Sequence, residues 1–214
     1  YKWLDWADGI TTSYVSTDVF RKLAKVFWGS ELAADFSTYE GKALAAKKIQ
    51  DRQYARECLI VCDFPFNNAS SVMHSDDQIA DPSLESKMLA AVLGGELDEQ
   101  ALYRTGERVF NLQRAILARE GHRGRAADIL DESFHTRGLK FIGLNAECKA
   151  PGKDGKMTSR KDMTVEKDKF EAMKDEYYQL RGWDVSTGLQ TRQQLESVGL
   201  GDIAGEMEGR GLAT

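Results

Sequence analysis

Three cysteines, Cys58, Cys62 and Cys148, are the residues of this chain with the most distinctive chemistry. Two of them share the run Glu57-Cys58-Leu59-Ile60-Val61-Cys62-Asp63-Phe64-Pro65. A C-x3-C spacing can put both sulfurs on one helix face, since positions i and i+4 are neighbours. Paired thiolates there could ligate a soft metal. Taken alone, the flanking Leu, Ile and Val favour two small hydrophobes packed in a core. Three thiolates cannot complete a four-cysteine metal or cluster site, so such a site would draw ligands from elsewhere. Zinc is a poorer reading, because C-x2-C pairs are absent and His74, His122 and His135 are scattered without ligand spacing. Each histidine reads as a surface or capping residue.

Other chemistry has little support. The chain has no G-x-S-x-G elbow, Gly-rich phosphate loop or H-E-x-x-H motif. Gly199-Leu200-Gly201 lacks the third glycine and the preceding strand of a dinucleotide fingerprint. Glu171, Asp175 and Glu176 read as a solvated helix surface. A net charge of −5 and a pI near 5.4 disfavour nucleic-acid binding. With 42% hydrophobic and 29% charged residues the composition is globular, and 214 residues suit one or two domains. An odd cysteine count fits a reducing, cytoplasmic setting. The longest apolar run, Met88 to Leu93, is far short of the ~20 residues that span a bilayer. The chain opens at Tyr1 without an initiator Met or a signal-peptide pattern, which fits N-terminal processing and an absent upstream part equally.

The elements that would position these residues are helical. Residues 17–28 place Phe20, Leu23 and Phe27 on one face, with Thr17 or Asp18 as cap and Gly29 as stop. Ser37 and Glu40 are spaced as a capping box, predicting a helix from Thr38 to about Cys58 with Lys42, Lys47 and Lys48 on a solvated face. A third helix is expected at 83–93, stopped by Gly94-Gly95. The fourth starts at Asp98, carries Leu102, Val109, Leu112 and Ile116 as a stripe, and ends at Gly121. A shorter helix is expected around Arg125–Glu132. Residues 141–165 read as a surface loop or small β-hairpin, with turns at Pro151-Gly152 and Asp154-Gly155. Glu147, Asp154 and Asp162 partly offset its cations, so the sequence alone argues against a basic recognition patch there. Two helices close the chain. One carries Phe170, Met173, Tyr177 and Leu180, and stops at Gly182 with Trp183 as a plug. The other has a Thr191/Gln194 capping box and ends near Gly199. The fold class is all-α, a multi-helix domain with one small hairpin.

Three segments in this order carry a family resemblance. The first is Tyr39-Glu40-Gly41-Lys42-Ala43 running into Cys58-Leu59-Ile60-Val61-Cys62-Asp63-Phe64. The second is Thr105-Gly106-Glu107-Arg108-Val109-Phe110-Asn111-Leu112-Gln113-Arg114, with its Arg119-Glu120-Gly121 stop. The third is Asp175-Glu176-Tyr177-Tyr178-Gln179-Leu180-Arg181-Gly182-Trp183-Asp184, continuing through Gly188, Thr191, Leu195 and Gly199-Leu200. The chain resembles, over about 38–140 and 168–204, the C-terminal helical part of the tungsten-containing aldehyde ferredoxin oxidoreductase family. These signatures are packing and capping residues; they name no catalytic acid or base.

The resemblance implies a tungsten or molybdenum ion held by two pterins and one [4Fe-4S] cluster, shared with upstream cysteines. Cys62 falls on the fourth cluster ligand of a D-S-L-G-L-C-type motif, and Glu57 and Val61 fall on its pterin-contacting positions. Residues 1–37 then form a variable leading segment, 38–65 the cofactor-contacting helix and loop, and 66–214 a helical bundle. Implied partners are the upstream domains, a ferredoxin or iron–sulfur subunit, and further copies or subunits in an oligomer, with no nucleic acid and no membrane span. Glu57 replaces the motif's Asp, and Ile60 its Gly. No histidine precedes His74, whereas aldehyde-oxidising members carry active-site histidines upstream. These departures suit the tungsten subunit of a class II aryl-CoA reductase as well as an aldehyde oxidoreductase. A helical interaction module without cofactor is the alternative outside enzyme chemistry.

Overall fold

The computed structural model describes residues 16–61, 76–77, 79–140 and 146–214. Eight α-helices occur among them: α1 (Thr17–Trp28), α2 (Lys42–Cys58), α3 (Leu84–Leu93), α4 (Glu99–Arg119), α5 (Ser133–Thr136), α6 (Lys167–Arg181), α7 (Arg192–Ser197) and α8 (Gly201–Gly209). Two short strands, β1 (Lys149–Pro151) and β2 (Met157–Ser159), pair antiparallel with Ala150 opposite Thr158. The fold is mostly helical with one hairpin, as the periodicity and turn residues predict. No described helix is long and apolar enough to cross a membrane.

The chain forms two compact units. The first takes in residues 1–45, 68–81 and 130–173, and the second 46–67, 82–129 and 174–214. In the first, α1 buries Phe20, Leu23, Ala24, Phe27 and Trp28 against Ala33, Ala34, Ala45 and Ala80. Phe20 meets Trp28 edge-on, with ring centroids 5.6 Å apart. The α1 cap is Ser16, whose hydroxyl accepts from Val19 N at 3.3 Å, in place of the expected Thr17 or Asp18. Gly29, at φ 87°, ends the helix as predicted. In the second unit, Ala115 and Ala118 of α4 pack with Leu195, Leu200, Ala204, Met207 and Ala213.

Several local expectations are overturned. The Ser37/Glu40 capping box does not form, because Ser37 N and Oγ both bond Asp35 Oδ1, at 2.9 and 2.6 Å. Helix α2 accordingly starts at Lys42. Its lysines are not one solvated face. Lys42 donates to the carbonyls of Leu32 and Asp35, Lys47 pairs with Asp51 and Glu107, and of the three Lys48 alone is exposed. Around 125–132 there is a 3-10 turn at Gly124–Ala126, and the helix comes later, at Ser133–Thr136. Ile116 and Leu180, placed on buried stripes by their spacing, are 38% and 37% exposed. Helix α8 went unforeseen because Gly201, Gly205 and Gly209 weaken its propensity signal; it forms by burying Ala204 and Met207.

Candidate functional site

The second and third signature segments meet in the second unit. Asn111, fully buried on α4, accepts at Oδ1 from Trp183 Nε1 (3.0 Å) and from Gln190 Nε2 (2.8 Å). Its own amide donates to Glu107 O at 3.0 Å. Phe110 stacks parallel to Trp183 at 6.1 Å, and the Arg114 guanidinium lies 4.8 Å from the Trp183 ring. Trp183 is thus the plug that its place after Gly182 predicts.

Arg181, with no solvent exposure, sits 4.2 Å from the Phe110 ring and donates to Asp51 Oδ1 (2.5 Å), Gln50 Oε1 (2.8 Å), Tyr177 Oη (3.0 Å) and Lys47 O (3.3 Å). Lys47 bridges Asp51 and Glu107 at 2.8 and 2.9 Å. A buried guanidinium demands this degree of satisfaction. The close approach of α4 to α2 needs Gly106, where a Cβ would stand 2.0 Å from Asp51 O. Tyr178 is 1% exposed and Tyr177 beside it is half-buried.

A second charged cluster gathers on Asp128. It accepts a two-pronged guanidinium from Arg114 and the Tyr178 hydroxyl at 2.7 Å, and lies 3.3 Å from His122 Nε2. Burial alone would raise the Asp128 carboxyl. The hydrogen bonds from Arg114 and Tyr178 and the charges of Arg114 and His122 outweigh it and hold the carboxyl below its ordinary value. Burial, reinforced by Asp128, pushes the Tyr178 phenol up. Neither Asp128 nor Arg181 holds a substrate-facing geometry; both are spent on protein partners. His135 Nδ1 lies 2.7 Å from Val165 O, so His122 and His135 act as bridging residues, while His74 lies outside the described residues.

The candidate cofactor segment is at the other end of α2. The helix closes in a Schellman turn, with Ile60 N donating to Glu57 O at 3.0 Å and Val61 N to Arg56 O at 3.3 Å. That turn requires a left-handed residue, and Ile60 occupies it at φ 57° while 93% exposed. A β-branched residue in left-handed backbone carries strain that glycine would not. Glu57 is exposed and accepts from Gln53 Nε2 at 3.1 Å; Val61 is half-buried. Cys58 is exposed, which corrects the expectation of a core thiol. Cys62 lies outside the described residues, and no group of three or more Cys, His, Asp or Glu that could hold a metal occurs among the described ones. Just before this turn Arg52 pairs with buried Glu85 at 2.6 Å, and Arg56 Nε lies 3.5 Å from the same carboxylate.

An open groove of about 370 Å³ in the second unit is lined by Arg104, Glu107, Arg108, Gln194 and Ser197. Ser197 donates to Gln194 O at 2.8 Å.

Compared with known families, residues 7–200 match the model described as aldehyde ferredoxin oxidoreductase, domains 2 and 3. The match extends the resemblance through most of the leading segment and across the hairpin.

Proposed function

Because the chain belongs to the aldehyde ferredoxin oxidoreductase family, we propose that it is part of a tungstopterin iron–sulfur enzyme that oxidises aldehydes to carboxylic acids. Water supplies the added oxygen, and two electrons and two protons leave per aldehyde. The electrons pass to a ferredoxin-type carrier. The observation that carries this reading is the family match over nearly the whole chain, joined to an α2 end where Glu57 and Ile60 stand exposed rather than packed. Thiolate is the ligand chemistry an iron–sulfur cluster takes, and Cys62, directly after the Ile60–Val61 turn, would supply one such ligand. Two cysteines remain, exposed Cys58 and buried Cys148, which cannot complete the set; the other ligands would come from outside these residues. When bound, the metal–pterin group supplies two-electron redox chemistry at the substrate carbon. Glu57 and Val61 would form part of the wall around it. The buried arginine and asparagine networks hold α2, α4 and α6 in place for that purpose.

Metal analysis of the anaerobically prepared full-length protein tests the reading. Tungsten or molybdenum and about four irons per chain are expected, together with aldehyde-dependent reduction of a viologen dye. A protein with neither metal near stoichiometry would be a cofactor-free helical module. A metal-replete protein inert toward aldehydes but reducing an aromatic acyl-thioester ring would belong to the aryl-CoA reductase branch.

A further inference from the structure

The groove between α4 and α7 holds two arginines that the scaffold does not use. Arg104 and Arg108 stand four residues apart on α4, so their Cβ atoms leave one helix face about 5–6 Å apart. Both are exposed, and among the described residues neither guanidinium has a hydrogen bond or an ion pair. Arg114, further along the same helix, is by contrast spent on Asp128. Arg108 lies against the turn that follows α7. A Cβ on Gly199, at φ 73°, would stand 2.8 Å from Arg108 Nη1, so the bare glycine leaves the guanidinium its place beside the groove.

The acid within the groove is already answered. Glu107 pairs with Lys47 at 2.9 Å and accepts from Gln194 Nε2 at 3.3 Å. No other acid on α4 stands three or four residues from Arg104 or Arg108. On α7, Glu196 pairs with Arg192 at 3.0 Å. Exposed Asp202, the first acid after Gly199, makes no ion pair with either arginine. The hydroxyls of Thr105 and Ser197 turn their protons onto Ala101 O and Gln194 O. The groove therefore presents two unspent positive charges, each with five N–H donors.

We propose that this groove binds a phosphate group, either the free ion or the head of a small phosphomonoester. Two guanidiniums match the nearly double charge of phosphate at neutral pH, and their planar forks suit its several acceptor oxygens. A lone carboxylate, with one charge and two oxygens, would leave one arginine unanswered. The volume of about 370 Å³ lies at the lower end of small-ligand sites. It holds one headgroup rather than a run of backbone phosphates. No aromatic side chain lines it, so a nucleobase would have nothing to stack on, while half-buried Val198 gives a short carbon chain an apolar contact. The site stands on these side chains and does not rest on the proposed reaction.

The test titrates the full-length protein with inorganic phosphate, glycerol 3-phosphate and succinate by calorimetry at constant ionic strength. Wild type is compared with Arg104→Gln/Arg108→Gln and with Arg123→Gln, which removes an exposed arginine outside the groove. Binding in the groove raises the phosphate dissociation constant about tenfold or more in the double variant and leaves Arg123→Gln within about twofold. The unfolding midpoint without ligand stays unchanged, since neither guanidinium holds the scaffold. An ester bound no more tightly than inorganic phosphate assigns the groove to the free ion; a tighter ester assigns it to a phosphomonoester. Ester binding weakens as pH falls through about 6, where the second proton returns. Equal phosphate binding by wild type and double variant, no binding by the wild type, or tighter binding of succinate overturns the proposal. So does a double variant that loses the metal–pterin group, which would make the groove part of the cofactor site.

Discussion

The two ends of helix α2's functional stretch are built on opposite principles. At Asp51, side chains from α2 and α6 converge on a fully buried guanidinium whose three nitrogens are all hydrogen-bonded. Two turns on, at Glu57 to Val61, the same helix ends in an exposed turn that forces a β-branched residue into left-handed backbone. The residues that identify the family most specifically are thus the scaffold. Those that would touch a cofactor sit at the end of α2, where Glu57 and Ile60 are exposed. Stability is concentrated in the first region and strain in the second.

The largest expected effect comes from breaking the buried network. Arg181→Ala leaves Asp51 and Gln50 without their main partner and should cost about 3–5 kcal/mol in chemical denaturation; a loss under 1 kcal/mol would mean the network is ornamental. Gly106→Ala comes next. Its methyl group would meet Asp51 O at 2.0 Å, so α2 and α4 must separate, costing about 1–3 kcal/mol.

Asp128 makes the same region sensitive to acid. Its folded carboxyl lies below the ordinary value of 3.8. The unfolded chain therefore binds this proton first as pH falls. The contribution is intact above the ordinary value and is lost as pH drops through the lowered one. Asp128→Asn should be less stable at pH 7, with a flatter acid-unfolding curve below about pH 4; parallel curves for both proteins would refute this. The smallest effect has the opposite sign. Ile60→Gly relieves the left-handed turn at a side chain that buries almost nothing, and should stabilise the protein by about 0.5–1 kcal/mol. A destabilising Ile60→Gly would show that the isoleucine is held by packing outside these contacts.

Much of the scaffold was legible in the sequence because it follows local rules. Asp98 caps α4 through Ala101 N, Thr191 caps α7 through Gln194 N, and Gly94 ends α3. What was illegible is buried polarity. Asp51, Lys174, Asn111 and Arg181 read as surface by type, and each is buried only because a partner distant in sequence satisfies it. At the candidate site, Glu57 and Val61 fall at a helix end as the spacing suggests. Cys58 does not pack inward: it is the last residue of α2 and stands exposed there.

The separation of scaffold from cofactor end is tested most directly by Cys62→Ser in the anaerobic full-length protein, with iron content and the low-temperature paramagnetic spectrum measured beside the unfolding midpoint. The account predicts that iron falls to a small fraction of wild type, or the cluster signal changes type, while the helical fold and its cooperative unfolding persist. Wild-type iron with an unchanged cluster spectrum would contradict it.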